Sequence, residues 1–316
     1  MIRAVSSEVE TGSRRENASN QESGAPFRFH RNGTLGPAKE NRAIRRVMNI
    51  APARGSGILL AAIPFFLIVM VYIIGSAERR AANPEDKLLP PISEMADTTK
   101  RLATEPDRRS GDYVLWTDTA ASLQRLLLGL GISTLIGLGF GLTVGLLPIA
   151  GASFGTIVAV ISMIPPMAVL PILFIVFGLG ELSKVMLIII GVAPCLVRDI
   201  SIEVQGLPRE QMVKAQTLGA STWQVAIRVV LPQIMPRLIK SVRLMLGPAF
   251  LFLISAEAIA ADVGLGYRIF LVRRYLSMDV ILPYVAWITL LAFAFDMLLG
   301  LFARKVFPWA YVEEPR

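Results

Sequence analysis

Long uncharged runs alternate with polar segments over most of this chain. Residues 55–77 carry no charge over 23 positions, enough at 1.5 Å per residue to cross about 30 Å of hydrocarbon. Residues 126–180 carry none over 55 positions. One helix cannot use that length, so the run predicts two spans, turned at the small residues 148–153, with the first beginning near Thr117. Residues 182–197 predict a short fourth span, 244–261 a fifth and 280–303 a sixth. The polar intervals are a tail at 1–54, a mixed-charge amphipathic segment at 78–117, a helix-forming loop at 206–236, a loop at 262–279 and a short end at 306–316.

Charge orients this arrangement. Ten Lys/Arg and five Glu lie in residues 1–54, and the basic excess beside the first span predicts that its N-terminal end is cytoplasmic. The tail lacks apolar periodicity and reads as disordered; it is either a regulatory or lipid-touching arm or a solvated extension. Its glutamates argue against a cleaved transit peptide. Residues 198–243 hold seven Lys/Arg against three acids, which also places that loop inside, so both termini are expected in the cytoplasm. Arg273 and Arg274 fall on the outer side against this rule.

Within the loop, residues 206–236 divide into two short helices. Pro208 suits a first helical position, and Glu210 faces the positive end of the helix dipole. Gly219 supplies a left-handed C-terminus. Ser221 with Gln224 forms a capping box for the second helix, which Leu231 and Pro232 are expected to close.

Composition narrows the chemistry. Hydrophobic residues make up 53% of 316 and mean hydropathy is +0.56, too apolar for an ordinary soluble domain of this size. Cys195 and His30 are the only cysteine and histidine, so no metal site and no cofactor is expected. The net charge of +8 sits beside apolar spans and follows membrane topology, with no nucleic-acid partner implied. No Gly-x-x-x-x-Gly-Lys-Ser/Thr occurs, and Gly264-Leu265-Gly266 lacks the third glycine of a dinucleotide loop. The chain is therefore expected not to be an enzyme.

Several residues stand out inside the spans. Arg125 either lines a pathway for an anion or snorkels to the interface. Ser162, Pro165, Pro166 and Met167 mark a helix that proline must kink or unwind, which suits a pathway wall or a packing kink. Asp296 and Glu257 are intramembrane carboxylates; Arg304 is the expected partner of Asp296, and Lys184 is expected to snorkel. Gly137, Gly139 and Gly141 permit close helix approach.

Ala215, Leu218, Gly219, Ala220, Ser221, Leu231 and Pro232, at this spacing, resemble the EAA loop of ABC importer permeases. Val213 and Lys214 stand where that motif carries Glu and Ala, and Glu210 lies one turn earlier. Ser122-Leu123-Gln124-Arg125, Ile164-Pro165-Pro166-Met167, Phe177-Gly178-Leu179-Gly180-Glu181 and Gly264-Leu265-Gly266-Tyr267 are similar to patterns of the nitrate/sulfonate/taurine branch. The resemblance implies an all-α membrane protein of six transmembrane helices with the type I importer permease (MetI-like) fold and a cytoplasmic coupling loop at 200–240. On that reading 118–305 is the permease core, preceded by the 55–77 helix and the periplasmic segment 78–117. The implied partners are a cytoplasmic ABC ATPase dimer, a periplasmic substrate-binding protein, a second permease copy and membrane lipid, in a bacterial inner membrane. The implied substrate is a small anion of the nitrate, sulfonate or taurine type. A vitamin precursor, or a channel or scaffold role outside ABC transport, is the alternative.

Overall fold

The computed structural model describes residues 54–83, 87–107 and 111–311. The basic tail at 1–53 and the last five residues lie outside the described residues. The chain divides near residue 60. The described part of the first unit is the opening turns of α1 (Arg54–Ala82), and the remainder of the fold belongs to the second.

Every regular element among the described residues is helical. After α1 come α2 (Ile92–Thr104), α3 (Val114–Leu146), α4 (Pro148–Ile161), α5 (Pro166–Phe177), α6 (Glu181–Gln205) and α7 (Arg209–Thr217). They are followed by α8 (Thr222–Val225), α9 (Leu231–Ala260), α10 (Leu265–Arg273) and α11 (Met278–Val306). Five helices are long and apolar enough to cross a membrane, and the bent pair α4 and α5 makes a sixth if counted as one span. The expected number of spans follows, but several of the expected boundaries do not.

The turn expected between the second and third spans is present, but it falls at Leu147 and residues 148–153 are themselves helical. Leu147 alone separates α3 from α4, because Pro148 is well placed to start a helix rather than to loop. A second break, the one expected from the prolines, falls inside the next span at residues 162–165, where α4 and α5 meet at 93°. Pro165 and Pro166 cannot donate the hydrogen bonds a continuous helix needs, and short i→i+3 bonds from Met163 and Ile164 fill the corner.

The expected fourth span is not short. α6 runs 25 residues, passing through Arg198 and Asp199, which look like its end. Arg198 is exposed while Leu196, Ile200 and Val204 are buried, so the charge sits on the outer face of an amphipathic helix. Nor do Leu231 and Pro232 close a helix. Residues 222–260 form one 39-residue helix with a π-helical turn over Ala226–Val230. The wider turn relieves the clash and the missing donor that Pro232 brings.

The bundle is centred on α3 and α6. Gly129, Gly137, Gly141 and Gly145 follow a four-residue period along α3, with buried Ser133 completing the row. Opposite them stand Ile188, Leu196, Ile200 and Val204 of α6, also at spacings of four or eight. A Cβ at Gly137 would lie 2.6 Å from Leu196 Cβ, and one at Gly141 would lie 2.7 Å from Ile200 Cβ. In lipid there is no water to expel between helices, so close backbone approach and dispersion hold the pair together. Gly139 takes no part, having nothing within 4 Å. α9 packs on the other side of α6, with Phe252 against Gly191. α1 is largely exposed over residues 59–82, and Tyr72 and Ser76 donate hydrogen bonds to the carbonyls of Pro90 and Leu89.

Candidate functional site

Two constructions stand apart from this packing. The first is the loop between α6 and α9. Gly206 ends α6, and Pro208 is the N-cap of α7 rather than its first residue. Gly219 has φ +79°, a conformation glycine adopts without penalty. Around it the Ala220 N–H donates to the Ala215 carbonyl at 3.0 Å and the Gly219 N–H to Gln216 at 2.9 Å. This is a Schellman motif, with Ala215 and Ala220 as its apolar contact against the core. Ser221 then caps α8 with the full box: Gln224 N–H to Ser221 Oγ at 3.3 Å and Ser221 N–H to Gln224 Oε1 at 2.9 Å. Gln233 Nε2 donates to Gln211 Oε1 at 2.9 Å, tying α7 to α9.

Met212 and Ala215 turn inward to pack on the core. Val213, Leu218 and Trp223 turn outward, 55%, 88% and 73% exposed, on a segment otherwise rich in polar side chains. Glu210 and Lys214 are exposed on the same helix. Large apolar side chains held outward by a rigid turn suit a partner surface.

The second construction is a buried charge cluster at the opposite ends of α3 and α9. Asp118, Ser122 and Arg125 share one face of α3 at spacings of four and three. Arg125 Nη1 donates to Glu257 Oε1 at 2.6 Å and to the Val263 carbonyl at 2.8 Å. Its Nε and Nη2 embrace the Glu181 carboxylate, which Lys184 Nζ also contacts at 2.8 Å. Glu257, with no exposure, accepts further bonds from Ser122 Oγ at 2.8 Å and the Gly266 N–H at 2.9 Å. Asp118 accepts from the Gly264 N–H at 3.0 Å, Arg268 Nε at 2.8 Å and the Tyr284 hydroxyl at 3.1 Å. A carboxylate buried to this extent needs such a donor set, since an unpaired one would cost several kcal/mol or more.

The cluster locks the connection between α9 and α10. Gly264 has φ +143°, and a Cβ there would lie 2.6 Å from Glu257 Cδ. Three separate sequence patterns, Ser122 to Arg125, Gly178 to Glu181 and Gly264 to Tyr267, thus meet at one place. Arg125 and Glu257, offered by the sequence as pathway or interfacial groups, are bonded to each other inside the bundle. Lys184, expected to snorkel, is 3% exposed because Glu181 holds it one turn away. Asp118, Arg268 and Tyr284 were not singled out in the sequence, where only the spacing of Asp118 from Ser122 and Arg125 hinted at a shared face.

The other intramembrane carboxylate also has a different partner from the one expected. Asp296 accepts from Arg243 Nε and Nη2 at 2.8 and 2.7 Å, not from Arg304, because Gly300 leaves room for the guanidinium beside α11. Ser162, Pro165, Pro166 and Met167 lie at the 93° corner between α4 and α5. Met167 and Pro165 are exposed there and Ser162 donates to the Ala159 carbonyl. Among the described residues no hydrogen bond or ion pair joins this corner to the Arg125 cluster.

A bundle of membrane-length helices, broken once and carrying a capped polar loop with an apolar face, defines a multi-pass membrane protein. The chain belongs to the family of binding-protein-dependent transport system inner membrane components, which it matches over residues 133–308. It is 33% identical over 221 residues to the taurine transport system permease protein TauC of Escherichia coli, covering 70% of this chain and 80% of that one. It is 30% identical to the bicarbonate transport system permease protein CmpB of Synechococcus elongatus, covering 72% and 82%. It is 24% identical to the nitrate import permease protein NrtB of Leptolyngbya laminosa, covering 78% and 87%. Its fold is similar to a chain of the inward-facing methionine ABC transporter MetNI, with TM-score 0.55 and 18% identity, covering 63% of this chain and 99% of that one. The fold is therefore the type I ABC importer permease fold.

Proposed function

We propose that this chain forms the translocation pathway of an ATP-driven importer for a small anionic solute and is worked by a separate cytoplasmic ATPase. The observation that carries the reading is the α7 loop, whose Schellman turn and capping box hold Val213, Leu218 and Trp223 outward. α7 is about 14 Å long at 1.5 Å per residue over its nine residues, a length suited to helix-in-groove recognition. Ala215, Leu218, Gly219, Ala220 and Ser221 shape the turn, and Leu231 and Pro232 lead it into α9. Glu210 and Lys214 set the charge of the docking helix. Because α8 and α9 are one helix, a push on the loop is transmitted along α9 as rigid-body motion.

In this reading the pathway runs along the broken α4–α5 pair, at Ser162, Pro165, Pro166 and Met167. Arg125 and Glu257 act on it by position, holding the α9–α10 connection. α4 has no buried residue, which favours a second copy of the permease facing it. The named substrates of the relatives, taurine, nitrate and bicarbonate, support a small solute bearing an anionic group, and the family's description supports delivery by a binding protein. The basic flanks of the spans favour cytoplasmic termini.

Affinity purification of the tagged full chain from its native membrane tests the proposal. Recovery of a stoichiometric phosphate-loop ATPase, lost with Leu218→Asp and Trp223→Asp, is the expected result. Recovery of the chain with a different cytoplasmic partner, or with none, favours a channel or scaffold. With the ATPase present, uptake assays against taurine, nitrate and a vitamin precursor separate the substrate classes.

A further inference from the structure

On the same end of the bundle as the α7 loop lies a cavity of about 620 Å³ formed by α6, α9, α11 and the turn after α11. Arg237, Lys240 and Arg243 enter it from α9, at spacings of three that keep them on neighbouring positions of the helix. Arg304 enters from the last turn of α11. Glu203 is the lining carboxylate, 3.7 Å from Arg237. Asp296 is bonded to Arg243. Four cations set against these two acids leave two positive charges, and among the described residues Lys240 and Arg304 have no ion-pair partner.

The neighbours of these cations are apolar and outward-facing. Leu244, beside Arg243, is 66% exposed. Leu301 and Phe302 precede Arg304 on α11, and Trp309 stands in the 3-10 turn that follows, all three more than half exposed. On a membrane-spanning helix such residues face acyl chains, and an exposed Trp after the last turn suits the headgroup level. Cationic groups lining a cavity, with outward-facing apolar residues on the same two helices, match an amphiphile whose anion is tethered to hydrocarbon. Arg243 is already oriented: Asp296 holds its Nε and Nη2, leaving the Nη1 hydrogens to donate to another acceptor.

We propose that this cavity binds the phosphate group of an anionic membrane phospholipid, with Lys240 and Arg304 as the principal contacts and Arg243 as a fixed third donor. The lipid wedges between α9 and α11 where α9 continues from the coupling loop, so it adjusts how that loop is held. The site needs only insertion in a membrane and does not depend on ATPase coupling. A soluble phosphate offers the same anion without the tail, and the two sources are separable.

The test is native mass spectrometry of the purified full chain exchanged into phosphatidylcholine and titrated with phosphatidylglycerol. Phosphatidylglycerol is expected to be retained over phosphatidylcholine, and retention should weaken by about 30-fold in K240Q/R304Q. R273Q/R274Q, which removes the same charge from the other end of the bundle, should leave retention unchanged. Raising the salt on wild-type protein should weaken retention as well, a readout that needs no variant. Equal retention in wild type and K240Q/R304Q, or equal retention of the two lipids, would overturn the proposal. Full displacement of phosphatidylglycerol by millimolar inorganic phosphate would overturn the lipid assignment and give the cavity to a soluble anion.

Discussion

Gly137 of α3 lies so close to Leu196 of α6 that a methyl group on the glycine would sit 2.6 Å from Leu196 Cβ. The same approach recurs at Gly129, Gly141 and Gly145, one or two turns apart. Because lipid supplies no hydrophobic drive to associate, this interface stands on shape. Gly137→Val should therefore force α3 and α6 apart and cost about 1–3 kcal/mol or more. Gly139→Val, facing open space, should leave stability unchanged or raise it by about a few tenths of a kcal/mol, because valine is a better helix former than glycine. Thermal unfolding of the two variants in detergent checks the contrast; equal melting temperatures would remove shape as the cause.

Removing one side of the Arg125–Glu257 pair should be severe. Glu257→Ala leaves Arg125, 6% exposed, with a lost partner, and also strands the Gly266 N–H. Breaking a buried pair typically costs about 3–5 kcal/mol. Asp296→Asn, in a pair 33% and 41% exposed, should cost less than Glu257→Ala, because its groups are not enclosed by the bundle. Denaturation of both variants under identical detergent conditions gives the comparison.

Gly264→Ala tests the lock itself. The added Cβ would lie 2.6 Å from Glu257 Cδ at φ +143°, a backbone region costing about 1–3 kcal/mol for residues with side chains. Hydrogen exchange should rise across α10 and the end of α9 before it rises in α6. Unchanged protection at α10 would mean that the cluster does not hold this connection.

Leu218 and Trp223 should matter to a partner and not to folding. Leu218→Asp and Trp223→Asp should leave the melting temperature of the isolated chain within about 1 °C, since both side chains are exposed (88% and 73%). In the complex each should weaken ATPase retention by about 30-fold, the loss of a hot spot of about 2 kcal/mol. Retention at the wild-type level in both variants would show that the docking surface lies elsewhere.

Gly219→Val should uncouple rather than unfold. The position is open, with nothing within 4 Å of an added Cβ, but its φ of +79° disfavours a β-branched residue. Substrate-stimulated ATPase activity of the reconstituted complex should fall while assembly persists. Normal stimulation would mean that the Schellman turn is not needed to transmit motion.

Local physics made much of this protein legible in its sequence. Charge-free runs set the number of crossings, since charge is expensive in hydrocarbon and a helix needs about 20 residues to cross. Backbone chemistry did the same for the loop: Gly219, Ser221 and Gln224 form the turn and box that their spacing predicts, because those hydrogen bonds close within a few residues. The proline pair at 165 and 166 likewise announced a break. Where a residue had both a starting and a stopping role, sequence misled. Pro148 begins a helix, and Pro232 is absorbed by a π-turn, because the packing of α3 and α9 decides which role is used. Pairing was settled only in three dimensions. Arg125 with Glu257 spans 132 positions and Arg243 with Asp296 spans 53, and which charge meets which depends on helices packing face to face. Glycines at 129, 137, 141 and 145 allow that approach, whereas the one at 139 points away from it.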